Sequence, residues 1–121
     1  MYEIEFDGQK FPQNNTLLSA CFKILLNHDF LDKLKLMSEK IGFGNNIYGF
    51  NFPDIFDEGD IGSEGYFENG IEFYLHNSSI VLDYSTFYEY IKIISGVYVE
   101  KNQKDEMLVN VYLDKIRTFT K

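Results

Sequence analysis

Cysteine is nearly absent from this sequence: Cys21 stands alone among 121 residues, which excludes an intramolecular disulfide framework and any multi-cysteine zinc site. Histidine is scarce as well. His28 and His76 fall on different elements, so the i, i+4 pair with which a helix grips a metal is missing. No apolar run approaches the roughly 18 residues that a membrane span needs, and the start, Met1-Tyr2-Glu3-Ile4-Glu5, carries neither a cationic nor a secretory apolar segment. A cytoplasmic location without a membrane partner is expected. There is no P-loop, no GxGxxG and no GxSxG. Asp54 to Asp60 sets Gly59 at the sixth position of a calcium loop, but Phe56 then falls at the third and Gly65 at the twelfth, where oxygen ligands are required. A nucleophile needs a base and an orienting group, and Cys21 sits on the apolar stripe of a predicted helix without either. The expectation is a protein with no enzymatic activity, no cofactor and no metal.

Bases are missing from the middle of the chain. Between Lys40 and Lys92 there is no Lys or Arg, while Asp54, Asp57, Glu58, Asp60, Glu64, Glu68, Glu72, Asp83 and Glu89 supply nine acids. The remaining ten acids and 11 bases nearly cancel, so the net charge of -8 is local to this stretch. Such a surface cannot bind nucleic acid by neutralising phosphates. It reads either as a solvated loop that aids solubility or as a docking surface whose field steers a basic partner.

Apolar material is plentiful: 45% of the residues are hydrophobic and 17% aromatic, with 12 Phe and 9 Tyr, far more than a disordered tail carries. At this length a single domain spanning residues 1–121 is expected. Tyr2, Ile4 and Phe6 alternate with Glu3 and Glu5 as in a half-buried strand. From Thr16 the period lengthens, and Leu17, Cys21, Ile24 and His28, widened by Leu18, Phe22 and Leu25, predict a first helix capped by Asn15 or Thr16. Phe30, Leu34, Met37 and Ile41 predict a second, stopped by Gly42, with Lys33, Lys35 and Lys40 on its outer face. Residues 43–70 hold six of the nine Gly, which excludes a regular helix there, although residues 47–52 suit a strand. Ile71 to Tyr84 reads as a hairpin turning at Asn77-Ser78. That register pairs Phe73 with Leu82 on the core face and Glu72 with Asp83, two like charges, on the other. Ser85 or Thr86 caps a third helix, whose buried stripe is Phe87, Tyr90, Ile91, Ile94 and Tyr98. Asp105 opens a fourth, with Leu108, Val111, Tyr112, Ile116 and Phe119 turned inward. The fold class is α+β: a small antiparallel sheet with a central β-hairpin, flanked by about four helices.

The segment Gly65-Tyr66-Phe67-Glu68-Asn69-Gly70-Ile71-Glu72-Phe73, continued by Ile80-Val81-Leu82-Asp83-Tyr84-Ser85-Thr86-Phe87-Tyr88-Glu89-Tyr90-Ile91, resembles the immunity proteins of bacterial contact-dependent growth inhibition systems. Within them it is most similar to the group paired with ribonuclease toxins. The likeness covers roughly residues 60 to 95: a glycine-rich acidic loop, a hairpin and a capped amphipathic helix. It implies binding of a cognate toxin nuclease domain, a basic protein, and blockage of its active site. The motif holds no catalytic residues, and it fixes neither the toxin's RNA substrate nor the contacts.

The residues alone lead toward the same kind of partner. A ribonuclease presents cations to phosphates, so a surface competing for them should be acidic, with aromatic anchors for desolvated contact. Asp54, Asp57, Glu58, Asp60, Glu64, Tyr66, Glu68, Glu72, Tyr74 and Asp83 are the expected partner-binding residues. Tyr74 is the aromatic whose strand face predicts exposure. The alternative is a non-catalytic adaptor or structural subunit that offers the same acidic face to another basic protein.

Overall fold

The computed structural model describes residues 16–53, 58–63 and 66–120; the strand expected at Tyr2 to Phe6 lies outside them. In chain order come α1 (Thr16–Asn27), α2 (Phe30–Ser38), β1 (Phe43–Gly44), β2 (Tyr48–Asn51), β3 (Ile71–Leu75), β4 (Ser78–Leu82), α3 (Tyr84–Lys101) and α4 (Glu106–Arg117). The four strands form one antiparallel sheet in the order β1-β2-β3-β4, and with the four helices this is an α+β fold.

Alternation decides which face of the sheet is buried. Phe50, Ile71, Phe73 and Leu82 point inward, and α1 lies against β3 and β4. Phe73 is the hub, with ring centroids 5.2 Å from Phe22 of α1, 6.1 Å from Phe50 of β2 and 6.0 Å from Phe87 of α3. Burying each such ring contributes about 1.5–3 kcal/mol. α2 and α3 both pack on α4. Tyr98 Oη donates to Asp105 Oδ2 at 2.7 Å and ties the end of α3 to the start of α4.

Several expectations need correction. In α1 the buried stripe is Leu18, Cys21, Phe22, Leu25 and Leu26; Leu17 and Ile24 lie on its flank, and His28 is exposed beyond the helix end. α2 stops at Ser38 rather than Gly42. Lys40 takes φ 56, its N–H reaches Met37 O and the Ile41 N–H reaches Leu36 O, which is a Schellman ending with lysine at the left-handed position. Ile41 therefore leaves the helical stripe and is 46% exposed. Lys33 is not on an outer face: it is buried, its Nζ 4.3 Å above the Phe43 ring of β1. In α4 the buried positions are Val109 and Ile116, whereas Leu108 and Val111 are exposed.

The hairpin turns one residue earlier than expected, at His76-Asn77, with His76 at φ 55. The register pairs Phe73 with Ile80, Ile71 with Leu82 and Glu72 with Val81. Both registers keep the same residues on the core face, but the like-charge pair of Glu72 and Asp83 does not exist. Asp83 instead caps α3, accepting from Thr86 N at 2.7 Å, in place of Ser85 or Thr86. Gly70 enters β3 at φ 104, and a Cβ there would strike Leu82 O, so the loop-to-strand corner requires glycine.

Candidate functional site

On β3, Glu72 and Tyr74 alternate with the buried Ile71 and Phe73 and so lie on the opposite face of the sheet. Their cross-strand neighbours complete that face: Asn51 and Val81 beside Glu72, Gly49 and Ser79 beside Tyr74. Glu72 Oε1 accepts from Asn51 Nδ2 at 3.2 Å, which fixes the carboxylate against β2. Val81 is 43% exposed next to it. Tyr74 lies across the glycines of the first hairpin, Gly44 and Gly49, and its Oη donates to Asn45 O at 2.9 Å. Glycine at both positions gives the ring its bed, since a Cβ on either would run into the phenol oxygen.

The other expected partner-binding residues are placed unevenly. Glu58 and Asp60 belong to a short 3-10 turn, Glu58 exposed and Asp60 half-buried. That turn is held by Ser63, whose N–H and Oγ both donate to Asp60 O, at 2.9 and 2.6 Å. Tyr66 is half-buried, its N–H on Ser63 O, and Glu68 is exposed. Asp83 is exposed, with its carboxylate engaged in the α3 cap. The Thr86 backbone N–H, then the Thr86 side chain, hold its ionisation below the ordinary carboxylate value. Asp54, Asp57 and Glu64 lie outside the described residues. Asn51 and Val81 were not among the expected residues. Period-2 alternation within residues 47–52 and 78–82 was the available signal, but it needed the correct register to bring them beside Glu72.

Cys21 is fully buried beneath the sheet, its Sγ donating to Tyr74 O at 3.4 Å, and burial pushes the thiol up to about 11, far from a thiolate nucleophile at neutral pH. Among the described residues no three His, Cys, Asp or Glu side chains are grouped to hold a metal ion. None of the described helices is long and apolar enough to cross a membrane.

A family model for CDI immunity proteins matches residues 14–113, which takes in every helix and strand of the fold except the end of α4. The chain belongs to the CDI immunity protein family. No curated protein matches it. As a CDI immunity protein it has a cognate toxin as partner, and its role is immunity to that toxin. The family match extends well beyond the hairpin and helix whose pattern resembles these proteins, into α1, α2 and most of α4.

Proposed function

We propose that the chain neutralises a cognate ribonuclease toxin domain by covering its cationic, phosphate-binding site with the acidic, aromatic-containing surface drawn from Asp54 to Asp83. The observation that carries this reading is the one-signed stretch between Lys40 and Lys92, nine acids without a base, together with Glu72 and Tyr74 on the sheet face turned away from the core. A nuclease must gather positive charge to hold RNA, so an acidic competitor gains both attraction at a distance and pairing at contact. Tyr74 supplies rigid apolar area amid the carboxylates, as an interface anchor does. The protein contributes no chemistry of its own: it acts as a single-domain stoichiometric inhibitor in the cytoplasm, without cofactor or nucleic acid. The test uses the cognate toxin domain and follows its cleavage of RNA as the purified protein is added. Cleavage should cease at equimolar ratio. Undiminished cleavage in excess inhibitor would overturn the reading.

A further inference from the structure

Among the described residues Lys33 is a mostly buried lysine with no anion in ion-pair contact. The residue is 9% exposed, and its Nζ stands 4.3 Å over the Phe43 ring and 3.5 Å from His28 O, the outer limit of a hydrogen bond. Ion pairs such as Lys92 with Glu89 and Arg117 with Asp114 lie elsewhere on the surface. An ammonium has three donors, and one ring face with one long contact to a carbonyl does not satisfy them. The atoms around this ammonium also wall a cavity of about 360 Å³, formed by Ile24, His28, Lys33, Phe43, Ile47 and Tyr48. Its walls are mostly apolar, and Ile47 is 51% exposed. Asn45 lines it too, and the Asn45 carbonyl accepts from Tyr74 Oη, so the cavity adjoins the sheet face that carries Glu72 and Tyr74.

These features select an occupant. A positive charge at the wall of an apolar recess calls for a carboxylate, while an exposed isoleucine and the link to Tyr74 call for a protein surface. We propose that the cavity receives an Asp or Glu side chain of the cognate toxin domain, its carboxylate on Lys33 Nζ and its neighbouring apolar atoms against Ile47 and Phe43. The proposal rests on the immunity reading for the partner and deepens it. The acidic face steers a basic partner, and this single anchor of opposite sign fixes the docked register and rejects partners that cannot supply the acid.

Lys33→Met keeps the buried stem and removes the charge. Ile47→Asp, on the exposed rim, sets a like charge against the incoming carboxylate without touching the core. Each should weaken binding of the cognate toxin domain by roughly 30-fold or more, mainly through faster dissociation. Wild-type affinity in both variants would overturn the proposal. A second arm needs no toxin: phenylacetate is titrated into the isotope-labelled full chain and followed by NMR. Shifts centred on Ile24, Phe43, Ile47 and Tyr48, lost in Lys33→Met and with phenylacetamide, are expected; their absence would overturn the carboxylate assignment. Shifts that emerge only after Glu3→Gln, Glu5→Gln and Asp7→Asn would make the chain's own first residues the occupant and overturn the partner assignment. Should the wild type fail to bind the toxin domain at all, the immunity reading falls and the toxin source with it, while the phenylacetate arm still decides whether the cavity takes a carboxylate.

Discussion

Replacing Asp83 with Ala removes the side chain that accepts from Thr86 N at the start of α3 and should cost about 1 kcal/mol in a denaturant melt. Asp83→Asn, an equally good cap, should cost little. Comparing the two separates the cap from the charge. Because the cap lowers the folded-state pKa, its electrostatic share of stability is present above the ordinary carboxylate value and is lost as the pH falls through the lowered one. The Cys21 thiol has the opposite sign. It ordinarily ionises at 9.0 and is pushed up to about 11 by burial, so between those values the unfolded chain loses a proton that the folded chain keeps. Stability should therefore fall from about pH 9 to about pH 11 more steeply in the wild type than in Cys21→Ala. Tyr48 is also raised, first by burial and then by neighbouring charges that include Cys21, so the difference between the two curves reads the thiol together with its coupling to Tyr48. Parallel curves would mean that the thiol is accessible to solvent.

At the level of elements, the sheet depends on close approach as much as on apolar burial. A Cβ at Gly49 would meet Gly44 Cα at 2.7 Å as well as Phe43 O, backbone atoms that cannot yield. Gly49→Ala should thus cost about 1–3 kcal/mol by prising β1 from β2. Phe73→Ala and Ile91→Ala should each cost about 2–5 kcal/mol by leaving cavities beneath the hairpin and within α3; melts showing losses below about 1 kcal/mol would contradict the packing described. The inward face of α3 was legible because Phe87, Ile91 and Ile94 keep one clean period. α4 was less so, since Met107, Leu108, Val109, Val111, Tyr112 and Leu113 run nearly around the helix and periodicity cannot choose among them. The hairpin shows the same limit in another form. Its two registers put identical residues on the core face, so the hydrophobic pattern cannot separate them; the structure sets the turn at His76-Asn77, with the His76 N–H reaching Ile47 O at 2.6 Å beyond the paired strands. Lys33 misled for a related reason. It flanks the apolar stripe of α2, where a long stem is easily buried, and only the approach of Phe43 from β1 decides that it is.

Over the whole molecule, the distribution of sign was readable in the sequence, as was the side of the sheet on which Tyr74 lies; its exposure was not, since the ring beds on Gly44 and Gly49 and is half-buried. The pairing of Glu72 with Asn51 and Val81 was not, because it depends on strands brought together from distant parts of the chain. The central claim is that the acidic stretch draws in a cationic toxin site, and it makes a kinetic demand. Charges that steer an encounter act through the solvent, so their effect must fade as salt shortens the screening length. The direct measurement is the association rate with the cognate toxin domain as a function of ionic strength, for the wild type, the double variant Glu58→Lys with Glu68→Lys, and Glu72→Gln. Glu58 and Glu68 are exposed, so their reversal should change folding stability by no more than about 0.5 kcal/mol. Wild-type association should slow steeply with added salt, and the double variant should associate more slowly with a shallower salt slope, Glu72→Gln lying between them. Equal rates and equal salt slopes in all three would contradict the account, leaving the acidic stretch a solvated surface and moving the interface to the lysine-bearing helices.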